Sequence, residues 1–290
     1  MQVIRASMLG YCMGVRYAVH LAYKASQTVR NGRLYTLGPL IHNPYVLREL
    51  QKQGVEILDE PFMPSDLKGA TVIIRAHGVA PNLEALLVGL GAELVDATCP
   101  RVKASQMKAK TFAEAGYRIF LAGEKQHGEL IGIRGYAPNC LSVEDPSEAR
   151  SAAETLYHTD PGGKTALLGQ TTISAEEYHR IGAEILPYFP DIEIIDTICN
   201  ATKDRQEALK KLCENADALV IAGGKESANT RRLLAIARNQ NKPAWLVESP
   251  EDLPPEAGVY SAVGLSAGAS TPDDLIDQIE KALYDLSVKV

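Results

Sequence analysis

Three cysteines of this chain occupy the same local setting. Cys12, Cys99 and Cys199 each follow a strand-like run and a short turn, and each precedes a predicted helix. Cys12 and Cys99 lie 87 residues apart and Cys99 and Cys199 lie 100 apart, which is about the size of a small domain in each case. Local metal motifs group their cysteines within a few residues, so this spacing indicates one site assembled from separate structural units. Three converging thiolates suit a thiophilic metal centre, and the sharpest interpretation is an iron–sulfur cluster with one iron free.

The alternative for any one cysteine is a small core residue, because buried cysteine behaves as a hydrophobe. The shared setting argues against that alternative for the three cysteines together. Cys140 and Cys213 lack the setting, and we predict that they are core residues. An odd total of five cysteines favours metal or catalytic use over a disulfide framework in a reducing compartment.

Three histidines lie where predicted strands give way to loops. His42, His77 and His127 each have glycine or proline within two residues, which allows the backbone to approach a ligand closely. Such histidines can bind phosphate as donors or move protons, although each alone is also explained as a loop residue with a local hydrogen bond. Glu129, two residues after His127, is the acid that we expect to face the same cavity. A lone glutamate is usually a surface charge, so this expectation depends on the neighbouring histidine.

Two loops that open predicted helices could bind an anion. One is Gly223-Gly-Lys-Glu-Ser-Ala-Asn-Thr and the other is Gly268-Ala-Ser-Thr-Pro-Asp, in which Ser270 or Thr271 would cap the helix. Helix starts offer unpaired N–H groups and a positive dipole end, which suit a phosphate, although simple capping explains either loop alone. The sequence has neither a Walker loop nor a Gly-x-Gly-x-x-Gly motif after its first strand, which argues against nucleoside triphosphate and dinucleotide binding.

Strand-like runs alternate with helical patterns throughout, which predicts an α/β fold with mainly parallel sheets. Residues 95–102 weakly match residues 195–202, and this repeat indicates three related αβ lobes around a shared centre. We predict lobes at 1–96, with Cys12, His42 and His77; at 97–196, with Cys99, His127, Glu129 and Thr171; and at 197–290, with Cys199, Ser227, Asn229 and Ser270. Ligands gather beyond the carboxyl ends of parallel strands, so such lobes would place the three cysteines at one pseudo-threefold, clover-like site.

The overall composition excludes several classes of partner. The 290 residues are 46% hydrophobic and carry a net charge of −6, which argues against general binding to nucleic acid or anionic membranes. No apolar stretch approaches the roughly 20 residues of a membrane span. The first residues, Met1-Gln-Val-Ile-Arg, do not resemble a signal peptide. We therefore expect a soluble, cytoplasmic protein.

Eight motifs in order also carry a family resemblance over nearly the whole chain. They are Gly10-Tyr-Cys-Met-Gly-Val, Ile41-His-Asn-Pro, Arg75-Ala-His-Gly-Val, Asp96-Ala-Thr-Cys-Pro, Gln170-Thr-Thr, Thr197-Ile-Cys-Asn-Ala-Thr, Gly223-Gly-Lys-Glu-Ser-Ala-Asn-Thr and Ser266-Ala-Gly-Ala-Ser-Thr-Pro. With these motifs the chain resembles the 4-hydroxy-3-methylbut-2-enyl diphosphate reductase family. The resemblance implies the last step of the non-mevalonate isoprenoid pathway, a reductive dehydroxylation that forms isopentenyl and dimethylallyl diphosphate.

The resemblance also implies roles for individual residues. Cys12, Cys99 and Cys199 would hold a [4Fe–4S] cluster whose fourth iron is open to the substrate's hydroxyl, and Glu129 would deliver a proton. The implied substrate-binding positions are His42, His77, His127, Thr171, Ser227, Ala228, Asn229 and Ser270. The implied partners are the allylic diphosphate and a reduced ferredoxin or flavodoxin as electron donor.

The chain departs from the family pattern at two positions. Gly128 stands in His127-Gly-Glu where proline is usual, and Glu226 stands where asparagine is common. Two other functions stay open. A cluster-dependent dehydratase similar to quinolinate synthase would need no external electrons, and a non-catalytic module that binds phosphorylated ligands would have ordinary core cysteines.

Overall fold

Parallel strands alternate with helices along the chain in a computed structural model that describes residues 1–29 and 32–287. The strands are β1 (Gln2–Arg5), β2 (Arg33–Leu37), β3 (Val55–Leu58), β4 (Ala70–Ile74), β5 (Glu93–Asp96), β6 (Arg118–Ala122), β7 (Leu141–Val143), β8 (Thr165–Gly169), β9 (Glu193–Ile194), β10 (Ala218–Ala222), β11 (Ala244–Val247) and β12 (Ala262–Ala267). The helices are α1 (Met13–Thr28), α2 (Pro44–Lys52), α3 (Pro81–Gly89), α4 (Pro100–Glu114), α5 (Gly128–Tyr136), α6 (Pro146–Thr159), α7 (Ala175–Ile185), α8 (Asn200–Asn215), α9 (Ala228–Asn239) and α10 (Asp273–Ser287).

The strands form three four-stranded sheets. Their orders are β1-β12-β10-β11, β3-β2-β4-β5 and β7-β6-β8-β9. The pairs β1 with β12, β4 with β5 and β6 with β8 are all parallel. Strands β4, β8 and β10 are buried at every position, as expected when helices cover both faces of a parallel sheet. The predicted α/β fold with parallel sheets is therefore confirmed.

Contacts between Cα atoms divide the chain into two compact units. The first comprises Met1–His20, Pro39–Val55 and the part from Asn200 onward, and it contains the sheet β1-β12-β10-β11. The second comprises Leu21–Gly38 and Glu56–Cys199, and it contains β2, β4–β9 and most of β3.

The first strand joins a sheet from the other end of the sequence. Gln2 lies opposite Ala262, and Arg5 lies opposite Leu265, so β1 is an edge strand beside β12. The rest of the stretch predicted as the first lobe, β2 to β5, forms a separate sheet. A strand pattern indicates which face is buried but not which strand is the partner, so this pairing could not be derived from the sequence. The division at Asp96 and Asp196 into three lobes around one centre stays a prediction.

Each sheet is packed between helices. In the first unit, one face of the sheet packs against Leu209 and Leu212 of α8 and Leu233 of α9. The other face packs against Ile276 and Ile279 of α10. Among the described residues of the second unit, one hydrophobic core surrounds β4, another lies between α7 and β8, and another lies between α5 and β6. Within residues 1–29 and 32–287, every helix falls short of the length or apolar character that a bilayer span requires.

Candidate functional site

The three cysteines stand at the starts of helices. Cys12 immediately precedes α1, Cys99 is the N-cap residue of α4, and Cys199 immediately precedes α8. All three are free thiols of intermediate burial. The positive end of a helix dipole is a favourable place for the negative charge of a thiolate. The local setting predicted from the sequence is therefore observed at each of them.

A carboxylate and a strand end hold the turn that carries Cys99. The Cys99 N–H donates to the Ala76 carbonyl at 3.0 Å. The two oxygens of Asp96 accept hydrogen bonds from the Thr98 N–H and from the Lys103 ammonium, both at 2.9 Å. Burial acts to raise the pKa of Asp96, but the hydrogen bonds from Lys103 and Thr98 outweigh it and the pKa is lowered. Asp96 therefore joins the turn to the first turn of α4 as an anion.

Hydroxyl groups hold the turn that carries Cys199. The Thr197 hydroxyl donates to the Gly169 carbonyl at 2.7 Å and accepts from the Gly169 N–H at 2.8 Å. The Tyr178 hydroxyl bonds the Ile195 carbonyl at 2.7 Å. These bonds fasten the segment before Cys199 to the end of β8.

The turn that carries Cys12 is held by backbone groups of the first unit. The Cys12 N–H donates to the Ala269 carbonyl at 3.2 Å, and the Cys12 Sγ accepts from the Val15 N–H at 3.5 Å. Gly10 has a φ of +78°, a conformation that favours glycine. Cys12, Cys99 and Cys199 are therefore each a reduced thiol at a helix start on a hydrogen-bonded turn.

Glu129 and Thr171 form a buried hydrogen-bonded pair. Glu129 lies in the first turn of α5 with 1% of its surface exposed. Its Oε1 accepts from the Thr171 N–H at 2.7 Å, and its Oε2 accepts from the Thr171 hydroxyl at 2.8 Å. The carbonyl of Thr171 accepts from the Cys199 N–H at 3.0 Å. One threonine thus connects the candidate acid to the backbone of a candidate ligand.

The histidine before Glu129 caps the same helix. His127 Nδ1 accepts from the Glu129 N–H at 3.2 Å, so in the neutral ring the proton is on Nε2. The His77 ring lies edge to face with His127, with 5.0 Å between the ring centroids. His77 follows Ala76, whose carbonyl binds Cys99. The second unit therefore brings His77, His127, Glu129 and Thr171 into one group that is bonded to the turns of two cysteines.

Gly128, which stands where the family usually has proline, packs against the side chain of Arg75. A Cβ on Gly128 would lie 3.2 Å from Arg75 Nη2 and 3.3 Å from its Cζ and Nε, and a Cβ on Gly38 would lie 2.7 Å from Nη1. Arg75 is mostly buried and pairs with Glu60 at 3.6 Å. Burial lowers the pKa of Arg75, and the negative charge of Glu60 opposes this effect. The guanidinium fills the space that a side chain at position 128 would need.

In the first unit, the start of α9 presents buried polar groups. Ser227 caps the helix by accepting from the Thr230 N–H at 3.3 Å. Ala228 is buried, and Asn229 is 4% exposed. Within the described part of the chain, neither Oδ1 nor Nδ2 of Asn229 has a hydrogen-bond partner. An unsatisfied buried amide costs free energy, so this asparagine is suited to a polar ligand. Glu226, the second departure from the family pattern, is exposed.

The loop with His42 lies against this helix start. The Ser270 hydroxyl donates to the His42 carbonyl at 3.1 Å. A Cβ on Gly224 would overlap the same carbonyl, so only glycine permits this approach. The first unit therefore groups His42 and Ser270 with the loop that leads into Ser227, as expected for residues that bind one ligand.

The remaining cysteines have structural surroundings. Cys213 is buried among Leu209, Leu212 and Leu219, and Cys140 packs against the core beside α5. Burial raises the pKa of both thiols. Cys213 is a core residue as predicted, whereas Cys140 is only partly buried, at the edge of a core.

Sequence reasoning did not single out two residues that hold these loops. Gln170 is fully buried, and its Oε1 accepts from the Glu124 N–H at 3.0 Å in the loop before His127. Arg205 is buried in α8 and donates to the Gly10 carbonyl at 2.6 Å. The sequence does mark Arg205 in one way: it is a charged residue at a position of α8 that lies in line with the apolar residues Leu209 and Leu212.

Comparison with known proteins places these features in a family. The model of the family described as LytB protein matches residues 3–284. The chain belongs to the LytB family. LytB proteins carry an iron–sulfur cluster.

Curated relatives agree over nearly the full length. The chain is 46% identical to a 4-hydroxy-3-methylbut-2-enyl diphosphate reductase of Treponema denticola over 98% of this chain and 100% of the relative. It is 40% identical to the enzyme of the same name from Aquifex aeolicus, over 98% of this chain and 96% of the relative.

Two solved structures have the LytB fold of this chain. One is described as (E)-4-hydroxy-3-methyl-but-2-enyl diphosphate reductase, the terminal enzyme of the non-mevalonate pathway; it is 37% identical with a TM-score of 0.69, over 98% of this chain and all of that chain. The other is the E-1-hydroxy-2-methyl-but-2-enyl-4-diphosphate reductase from Plasmodium falciparum. It is 27% identical with a TM-score of 0.88, over 97% of this chain and 87% of that chain.

Proposed function

We propose that this chain is a 4-hydroxy-3-methylbut-2-enyl diphosphate reductase, which converts (E)-4-hydroxy-3-methylbut-2-enyl diphosphate to isopentenyl and dimethylallyl diphosphate. The full-length family match and the names of the relatives support this activity. The observation that carries it is the bonding of Thr171 to both oxygens of Glu129 and to the Cys199 backbone. A proton donor joined to a candidate ligand is what removal of a hydroxyl group at a cluster requires.

Cys12, Cys99 and Cys199 would hold a [4Fe–4S] cluster. When bound, such a cluster supplies single electrons and an open iron that acts as a Lewis acid on the substrate oxygen. The fit is supported by three free thiols, each at a helix start. The electrons would come from a reduced ferredoxin or flavodoxin. The need for reduced thiols agrees with the cytoplasmic location expected from the sequence.

Glu129 would supply the proton that the leaving hydroxyl group needs. Hydroxide is a poor leaving group, and a positioned acid assists its departure as water. Glu129 is shielded from bulk solvent, and both of its carboxylate oxygens accept hydrogen bonds from Thr171. When Glu129 is protonated, the hydrogen bond to the Thr171 hydroxyl can reverse, so Thr171 can pass the proton onward. His127 and His77 lie beside this pair and would contact the substrate.

The diphosphate would bind through donors at the start of α9 and on the adjacent loops. We assign this role to Ser227, Ala228 and Asn229, with Ser270, His42 and His77. The buried amide of Asn229, which has no partner among the described residues, supports the assignment. Several donors on one anion fix its orientation, and such positioning can contribute several kcal/mol to catalysis.

Anaerobic purification followed by an assay with a reduced dye tests this function. We expect a brown protein that consumes the allylic diphosphate only when the reductant is present. Replacement of any one of Cys12, Cys99 and Cys199 with serine should remove the visible absorbance, whereas replacement of Cys213 should not. Turnover without added electrons would favour a dehydratase similar to quinolinate synthase. A colourless, iron-free protein that binds the diphosphate would favour a binding module.

A further inference from the structure

A fully buried arginine, Arg205, joins helix α8, which follows Cys199, to the turn that precedes Cys12. Arg205 has 1% of its surface exposed and lies in α8, six residues after Cys199. Its Nη2 donates to the Gly10 carbonyl at 2.6 Å, and its Nη1 donates to the Ala201 carbonyl at 3.0 Å. Gly10 is two residues before Cys12. One guanidinium therefore spans the first turn of α8 and the Cys12 turn.

The turn at Gly10 has little freedom to adopt another arrangement. Its φ is +78°, and an added Cβ would lie 2.9 Å from Asp273 Oδ1 and 3.2 Å from Ile276 Cδ1. The Cys12 N–H is bound to Ala269 on the other side of the turn. Helix α10 lies against one side of this turn, and the Arg205 side chain from α8 holds the Gly10 carbonyl.

The chemistry of arginine suits this position better than that of lysine. Its planar fork can donate to two carbonyls at once and stays charged at every physiological pH, whereas the lysine ammonium is a compact point charge. Burial of a cation costs several kcal/mol, which only good hydrogen bonds and nearby negative charge can offset. The thiolate of Cys12, on the turn that Arg205 holds, would supply such negative charge.

We propose that Arg205 is a positioning residue for the iron–sulfur site, holding the Cys12 turn in its ligating arrangement and adding a fixed positive charge beside it. The inference depends on the proposed function, because it requires that Cys12 bind the cluster. Charge and hydrogen bonding near a cluster set its reduction potential. Removal of the cation should therefore lower the potential, and removal of the two-carbonyl bridge should loosen the Cys12 ligand.

Two substitutions separate the charge from the bridge. Arg205→Met removes both, and Arg205→Lys keeps the charge but cannot reproduce the bridge. The matched control is Lys211→Met, which removes a positive charge from the exposed face of the same helix, about 9 Å further along its axis. Gly10→Ala strains the same turn while leaving Arg205 in place.

The readouts are the rate at which a chelator removes iron and the midpoint potential in a redox titration monitored by electron paramagnetic resonance. Loss of a hydrogen bond from a charged donor should make iron loss about tenfold faster in Arg205→Met and Arg205→Lys. The potential should fall in Arg205→Met alone. Gly10→Ala should lose iron faster at an unchanged potential, and Lys211→Met should match the wild type. Circular dichroism of the metal-free variants verifies that they fold. If Arg205→Met does not fold, the comparison of Arg205→Lys with the wild type provides the test.

The outcomes distinguish this inference from the function on which it depends. A wild-type protein without iron rejects the cluster and this role of Arg205 together. A loaded wild-type protein whose Arg205 variants lose iron no faster than Lys211→Met rejects the role of Arg205 alone. Faster iron loss in both variants with an equal fall in potential would overturn the contribution of the charge.

Discussion

Thr171 presents its N–H to one oxygen of Glu129 and its hydroxyl to the other, at 2.7 and 2.8 Å. The carboxylate is therefore held in one orientation, although it has 1% exposure to solvent. Hydrogen bonds to the ionised form offset the cost of burying the charge. A substrate that brings negative charge to the site would shift this balance toward the protonated acid. The proposed acid role requires this pair to take up a proton and release it again.

Replacement of Glu129 tests the acid role. Glu129→Gln keeps the size of the side chain and can still accept from the Thr171 N–H, so we expect the fold and the visible absorbance to be retained. A positioned acid typically contributes at least about 100-fold to a rate, and the variant should lose that much in single-turnover reduction. Its affinity for the substrate should stay close to that of the wild type. An unchanged single-turnover rate would discard the acid role.

Substitution of Thr171 should have a smaller, graded effect. Thr171→Val removes the hydroxyl that bonds Glu129 but keeps the N–H and the carbonyl that bonds Cys199. We expect about a tenfold loss of turnover, equivalent to one hydrogen bond to a charged group, and no loss of iron. Thr171→Ser restores the hydroxyl and should recover most of the rate. Equal turnover in the valine and serine variants would mean that the hydroxyl does not take part.

Local patterns in the sequence predicted the surroundings of Cys12, Cys99 and Cys199, because a strand, a turn and a helix start are encoded by neighbouring residues. The link between Glu129 and His127 was accessible for the same reason, since a helix cap spans only a few positions.

Contacts between distant segments were not accessible. The pairing of β1 with β12 depends on tertiary packing that a strand pattern does not encode. The bond from Arg205 to the Gly10 carbonyl joins residues 195 positions apart, and a helix pattern does not encode such a partner. The reason for glycine at position 128 likewise became visible only with Arg75 beside it.

Below neutral pH, the Asp96–Lys103 ion pair should make stability depend on pH only in the acid range. The pKa of Asp96 is lowered in the folded chain, so its charge stabilises the fold above its ordinary pKa of 3.8, and this contribution is lost as the pH falls through the lowered value. Both side chains are half exposed, so Asp96→Asn should cost no more than about 1 kcal/mol. Urea unfolding of both proteins should give the same difference at pH 7 and pH 5. A difference that shrinks between those two values would contradict the assignment.

The contact between Gly128 and Arg75 predicts a coupled pair of mutations. Gly128→Ala places a Cβ about 3.2 Å from the guanidinium, which is closer than ordinary van der Waals contact, and should destabilise the chain by about 1 kcal/mol. In an Arg75→Ala background the space is open, and the same substitution should be neutral or stabilising. A double-mutant cycle of unfolding free energies measures the coupling. Additive effects would show that the guanidinium does not limit the residue at position 128.

Asn229 should lower the stability of the ligand-free protein and raise its affinity for the diphosphate. Neither of its side-chain polar atoms has a partner in the described residues, so Asn229→Leu, which has the same branched arrangement of heavy atoms, removes a desolvation cost. We expect the ligand-free variant to melt at the same temperature or higher, while its affinity for the diphosphate falls at least about tenfold through loss of a hydrogen bond to a charged group. Thermal melting with and without inorganic diphosphate measures both effects, and Ser227→Ala, which removes the cap of the same helix, is the control that should lower the melting temperature. A leucine variant that melts lower yet is stabilised by diphosphate as much as the wild type would mean that the amide serves the fold instead of the ligand.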